Sequence, residues 1–180
     1  ISAKPVQDMV NSVMSNASMP FRWSFMPDGK TLVETYEDDA QVIAETEKLA
    51  SWYGGMTHFT KGAVKLFADG AIYSLAMQLR DPFIGDYHGE WMMDEDLFDR
   101  AFRVYWDAGY QIHIHVNGDA GLDRVLNALE TNLGRNPRSD HRTTIIHFAV
   151  SAAEQVGRIK RLDAIVSANP YYVTALADQY

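Results

Sequence analysis

Two strand-like runs each carry a histidine at or next to their end, Gln111-Ile-His-Ile-His115-Val116 and Thr143-Thr-Ile-Ile-His147, and an earlier run, Ala63-Val-Lys-Leu-Phe-Ala-Asp69, carries a lysine. Imidazole nitrogens are ligands for divalent metals. In a parallel barrel the side chains at the C-terminal ends of several strands converge on one mouth, so ligands far apart in sequence can meet. The three runs together point to a metal site.

Strand geometry sorts the candidates. Successive side chains alternate faces, so Gln111, His113 and His115 share one face while Ile112, Ile114 and Val116 take the other. The apolar face belongs against helices and the polar face inside. Two residues of strand span about 7 Å, which puts His115 at the mouth and His113 one layer deeper, where a hydrogen-bonded interior role suits it better. His147 closes the Ile145-Ile146 run at the functional end of its strand, whereas His141 precedes that strand and falls at the opposite face.

Lys65, flanked by Val64 and Leu66, would bury an ammonium at a cost of several kcal/mol unless it is paired, neutral or modified. A neutral lysine amine reacts with carbon dioxide to give a carbamate, an anionic oxygen ligand able to bridge two ions. Pairing with Asp69 on the same face is the plainer alternative. The stretch from Asp69 to Met93 is long for a connection and has the length of a lid or binding loop. Within it, Arg80 is a candidate clamp for an anionic substrate and His88 a candidate wall of the substrate site, each with a solvated surface role as its alternative. The turn Asn117-Gly-Asp-Ala-Gly121 offers a rival reading as an anion cradle at a helix start. Asp119 sits where the anion would be, and reads more simply as an N-cap.

Alternating helical and strand-like patterns carry these residues, as in an α/β protein with a parallel sheet. Val6, Met9, Val10, Val13 and Met14 mark a first helix, followed by a short strand over 21–25 and a turn at Pro27-Asp-Gly-Lys30. A second helix runs from about Asp39 to Tyr53, with Ile43, Thr46, Ala50 and Tyr53 inward and Gly54-Gly55 at its end. A third begins near Asp94 and stops at Gly109, burying Leu97, Ala101, Val104, Tyr105 and Ala108. A fourth spans about Asp119 to Leu133, and a Ser151/Glu154 capping box opens the fifth. The last strand is Ala164 to Ala168, stopped by Asn169-Pro170. About five strands result, too few for an eight-stranded barrel, so the expectation is a partial barrel over 1–180 with unpaired edges. Such edges recruit other chains, and a homo-oligomer formed through them is a corollary.

The 180 residues are 47% hydrophobic, enough for a substantial core. A formal net charge of −8 lacks the footprint of a nucleic-acid or anionic-membrane binder, and small molecules are the expected partners. The absence of cysteine removes disulfides and thiolate ligands, leaving His, Asp, Glu and modified Lys. No apolar run has the length of a membrane span and no signal peptide is visible, so a cytoplasmic location is expected. The chain opens on Ile1 rather than Met, and its natural start is expected to be missing.

Three segments, Val64-Lys-Leu-Phe-Ala-Asp-Gly70, Gly109-Tyr-Gln-Ile-His-Ile-His-Val-Asn-Gly-Asp119 and Thr144-Ile-Ile-His-Phe148, resemble the amidohydrolase superfamily, specifically its amidohydrolase 3 or YtcJ-like metal-dependent hydrolases. The resemblance implies a TIM-type (β/α) barrel, here partial and lacking the first and last strands. It also implies Lys65, when carboxylated, with His115 and His147 as ligands of one or two divalent ions, zinc foremost. The implied activity is hydrolysis of amide or formamide-like C–N bonds, other than ordinary peptide bonds, by a metal-activated water. Two departures stand out. The first-strand His-X-His pair and last-strand aspartate of the family have no counterpart, and Ile146 replaces the glutamate that many relatives place before the sixth-strand histidine.

Overall fold

The computed structural model describes residues 3–51, 56–82, 85–175 and 177. Among these, β3 (Ala63–Phe67), β4 (Gln111–Val116), β5 (Thr144–His147) and β6 (Ile165–Ala168) form a parallel four-stranded sheet in chain order. Helices α4 (Glu95–Asp107), α5 (Asp119–Arg135) and α6 (Ala153–Arg161) make the crossovers. The alternating pattern thus yields a βαβ array open at both edges, the architecture of a partial barrel, with no closure among the described residues.

Two elements went unread in the sequence. Strand β2 (Thr57–Phe59) pairs in parallel with β1 (Trp23–Phe25), making six strands rather than about five. At three residues it is too short to show a period. The Pro27-Asp-Gly-Lys30 segment is the start of helix α2 (Gly29–Thr35), where the Asp28 carboxylate accepts from the Thr31 amide. Asp-Gly reads locally as a turn, but the glycine answers a packing need. A Cβ at Gly29 would come within 2.7 Å of Tyr105 and Val64 side-chain carbons. Just before it, Pro27 accepts from the Lys65 amide, linking the first sheet to β3.

The core forms where the outer sheet face meets the helices. Val64, Leu66, Ile112, Ile114, Val116 and Ile145 all point that way and are buried, as alternation requires. Helix α4 presses Phe98, Phe102 and Tyr105 into the same core, and α5 adds Leu122, Val125, Leu126 and Leu129. Of the stripe expected on α4, Leu97 is only half-buried and Ala108 exposed, because Phe98 and Phe102 turn the helix to seat their rings. Helix α4 still ends as expected, at Gly109 with φ of 81°. Helix α3 (Asp39–Ala50) has the expected start, capped by Asp38, and Arg100 and Arg103 of α4 both hold Asp39. Tyr53 and Gly54-Gly55 lie outside the described residues.

Helix α1 (Lys4–Met14) differs from expectation in the face it buries. Gln7 is its buried residue, donating to the Leu49 carbonyl, and Asn11 accepts from Thr57, while Val6, Met9 and Val13 face outward. Helix α6 lacks the Ser151/Glu154 capping box. Gln155, buried against α5, accepts from the Ala152 amide instead, and Glu154 turns to Arg80. A short α7 (Tyr171–Ala175) follows β6. No helix among the described residues is long and apolar enough to cross a membrane.

Because Phe102 is fully buried between α4 and the sheet, Phe102→Ala is expected to lower unfolding free energy by about 3–5 kcal/mol in urea denaturation, whereas truncating exposed Met9 should leave the midpoint nearly unchanged.

Candidate metal centre

On the inner face the register aligns Lys65 with His113 and Thr144, and Phe67 with His115 and Ile146. Gln111 donates to Thr144 at the deep end of this face. Strict alternation would therefore leave His147, paired with Val116, on the outer face. The chain breaks the alternation at that residue. His147 has φ of 78° and Phe148 φ of 50°, a left-handed pair without glycine. The imidazoles of His115 and His147 consequently meet edge to face, with ring centroids 4.5 Å apart. Two strand ends thus deliver two histidines to one point.

Burial sets the protonation of the group. It pushes His115 down to about 4, with the charges of His147 and Lys65 adding to the effect and the bond to the Gly70 carbonyl opposing it. It also lowers His147 and His113, and the Lys65 charge adds to both. Neutral imidazoles, the form that ligates metal, follow at neutral pH. Lys65 is lowered to about 8 by burial alone, and its Nζ is buried with no hydrogen-bond partner, 5.5 Å from the Phe67 ring centroid.

The pairing of Lys65 with Asp69 is absent. Asp69 is fully buried and accepts from the backbone amides of Gln78, Asn117 and Gly118 at 2.7–2.9 Å. Burial raises its carboxyl to about 6 although those three donors pull the other way. The same bonds answer the anion-cradle reading of the 117–121 turn. Asp69 takes the amides of 117 and 118, and the Gln78 carbonyl takes those of Ala120 and Gly121. The cradle is already filled by the protein itself. Gly118, not Asp119, is the N-cap of α5, and Asp119 accepts from the amides of Ala120 and Arg80.

Arg80 and His88 are not brought to the histidine pair. The Arg80 guanidinium makes a two-pronged bond to Asp123 and a third to Glu154, fastening the loop onto α5 and α6. His88 Nδ1 meets the Leu79 carbonyl within the same loop. Three contributors were missed: the Gly70 carbonyl 3.3 Å from His115 Nε2, the Asn117 amide 3.0 Å from the same atom, and Tyr172, whose hydroxyl is 3.5 Å from His147 Nδ1. Tyr172 also meets Tyr73 edge to face at 5.9 Å. Asn117 had a detectable signal, lying two residues beyond His115 in the turn. Tyr172, in a polar segment after the last strand, had none.

Among the described residues no three His, Cys, Asp or Glu side chains stand close enough together to hold a metal ion. The donors present fit a metal in part: two neutral imidazoles face each other, and the orphaned amine beside them would need modification to become a ligand.

The amidohydrolase family model matches residues 4–179. The chain belongs to the amidohydrolase family. It is 28% identical over 137 residues to the Bacillus subtilis (strain 168) protein named "Putative amidohydrolase YtcJ", which covers 75% of this chain and 25% of that one. It is 27% identical over 119 residues to the Arabidopsis thaliana "Protein LONG AFTER FAR-RED 3", covering 65% of this chain and 20% of the relative. The chain therefore spans about a quarter or less of these curated relatives. The fold is shared with crystal structures of uncharacterized metal-dependent hydrolases from Pyrococcus furiosus (TM-score 0.67) and Pyrococcus horikoshii OT3 (TM-score 0.65), each 20% identical. These superpositions cover 98% and 94% of this chain, and 34% and 31% of those chains. Similarity at this level supports the partial (β/α) barrel.

Removing the carboxylate that joins β3 to β4 tests the scaffold apart from any chemistry. Asp69→Ala leaves three buried amides without a partner at about 1–3 kcal/mol each. A loss of several kcal/mol in denaturant unfolding is expected, and a loss below about 1 kcal/mol would contradict this role.

Proposed function

We propose that this chain contributes the His115, His147 and Lys65 portion of the active site of a metal-dependent hydrolase acting on non-peptide C–N bonds, of the amide or formamide kind. The observation that carries the reading is the meeting of two neutral imidazoles at 4.5 Å, achieved through left-handed backbone at His147 and beside a buried, unpartnered amine. Backbone in a sparsely populated region persists where the surroundings enforce it, and it concentrates at functional sites. Family membership and the metal-dependent hydrolases that share the fold support the same reading.

His115 and His147 would hold a divalent ion, zinc being suited to imidazole ligands. The metal would supply Lewis acidity, lowering the pKa of a water and polarising the scissile carbonyl. The protein's own part is to hold the rings. His115 is fixed by Gly70 and Asn117, and His147 meets Tyr172. Lys65 is suited to become the third ligand, because a partly neutral amine attacks carbon dioxide, forming a C–N bond and releasing a proton. A small substrate would enter beside Tyr73 and Tyr172 at the mouth. Arg80 and His88 serve this reading by fastening the loop rather than by touching substrate.

A second reading, association through a free sheet edge, is favoured by β6, where all four residues are exposed, Ile165 and Val166 among them. Strand addition to such an edge would bring a second copy alongside. Sedimentation analysis separates a dimer from a monomer.

The test of the metal reading is elemental analysis after reconstitution with zinc and bicarbonate. Near-stoichiometric zinc is expected, with His115→Ala losing far more of it than His113→Ala. Equal losses, or no uptake by the unaltered chain, would overturn the assignment. Bicarbonate-dependent uptake that disappears in Lys65→Ala is the expected mark of the carbamate.

A further inference from the structure

We propose that Asn117 is a positioning residue that selects the tautomer of His115, holding the metal-free ring in the form whose Nδ1 carries the proton. This inference rests on the metal-site reading. Three polar atoms converge under the ring. Asn117 Nδ2 lies 3.0 Å from the Gly70 carbonyl and 3.0 Å from His115 Nε2, and that nitrogen lies 3.3 Å from the same carbonyl. The carbonyl can only accept, and the amide nitrogen carries two hydrogens, one for each neighbour. With both bonds made, Nε2 presents its lone pair to Asn117 and the ring proton resides on Nδ1.

Nε2 is enclosed by these partners, so Nδ1 is the ring nitrogen left for an ion. Ligation there requires the proton to move to Nε2. An Nε2–H would then point at the amide N–H across 3.0 Å, donor against donor, unless the amide turns over. The amide is built to turn. Asn117 is 2% exposed, and its Oδ1 is buried without a hydrogen-bond partner. Rotation about the terminal side-chain bond would bring this orphan acceptor onto the new Nε2–H. The unsatisfied atom thus finds its donor in the tautomer that metal demands, and binding at Nδ1 is coupled to the amide flip. In the metal-free state Asn117 acts as a brake on loading, which an acceptor-only or missing side chain at 117 would release.

The tautomer can be read directly from the imidazole nitrogen shifts of protein labelled with nitrogen-15 at histidine, without metal and at a pH where the rings are neutral. His115 in the unaltered chain is expected as Nδ1–H. In Asn117→Asp, a shape-conserving change whose oxygens can only accept, and in Asn117→Ala, it is expected as Nε2–H. Zinc titration should then give affinity about tenfold higher in both variants, the low end of what groups contacting a ligand histidine exert. An Nε2–H ring in the unaltered metal-free chain would overturn the proposal, as would unchanged tautomers in the variants or weaker zinc binding by Asn117→Ala. Tighter zinc in Asn117→Asp alone would assign the effect to added charge and overturn it equally. Because the tautomer is measured without zinc, failure of every form to bind zinc would sink the metal reading while the shifts still decide the role of Asn117.

Discussion

The arrangement at the mouth depends on one buried carboxylate. Asp69 leaves the end of β3 and accepts amides from Gln78, in the long loop, and from Asn117 and Gly118, at the exit of β4. A single side chain thereby closes three backbone segments onto one point. The packing around it explains the glycines of the turn. A Cβ at Gly118 would lie 1.9 Å from the Gln78 carbonyl oxygen, and one at Gly121 would lie 2.7 Å from the Asp69 carboxylate. Those residues look like anion-binding residues in sequence because they are: the anion they accommodate is a side chain of the same protein. Burying a carboxylate is unfavourable, and its raised pKa records that, but three aligned amides would each be stranded without it.

From that point the site is built by two opposite uses of the strand. Strand β4 obeys alternation throughout, sending Ile112, Ile114 and Val116 into the core and Gln111, His113 and His115 inward. Strand β5 obeys it as far as Ile146 and departs from it at His147. The left-handed conformation at two successive non-glycine residues is unfavourable, by about 1–3 kcal/mol for each. Bonds on both sides hold it in place. The Phe148 amide donates to the Val116 carbonyl, and the Asn169 amide donates to the His147 carbonyl, so both neighbouring strands grip the segment. Strain gripped in this way brings a polar ring to the inner mouth from a position that would otherwise face the helices.

The sequence was a good guide wherever period and burial agree. The β4 and β5 strands, helices α3 to α5 and the grouping of His115 with His147 follow from apolar alternation and from strand ends. It failed where one residue had two uses. Asp28-Gly29 has turn composition but starts a helix, because what Gly29 lacks is needed by Tyr105 and Val64 across the core. Helix α1 has a clear apolar stripe and still buries Gln7, because buried carbonyls and hydroxyls need partners that valine cannot supply. The left-handed turn at His147 has no local signal at all, since histidine and phenylalanine rarely adopt it. Only the register with β4 exposes it.

The polar residues of the long loop illustrate a more general point about reading function from charge. Arg80 has the right chemistry to bind an anion, and it does bind one on each side, but Asp123 and Glu154 both belong to helices of the scaffold. Asp123 is held in turn by Gln155 and Arg158, and Arg158 by Glu130, so the loop joins a network that spans α5 and α6. Trp91 closes the other end of the loop, its ring 3.5 Å from the Arg124 guanidinium, which also donates to the Met93 carbonyl. Fixed at both ends by charge, the loop holds the Gly70 carbonyl and Tyr73 in constant positions beside the histidine pair. The charged groups are therefore occupied in holding the frame, and the atoms left facing the inner mouth are imidazole nitrogens, a phenol and one amine. Such a set favours a small neutral substrate over an anionic one, since no free guanidinium and no free amide of the 117–121 turn remain beside the pair to receive a negative charge.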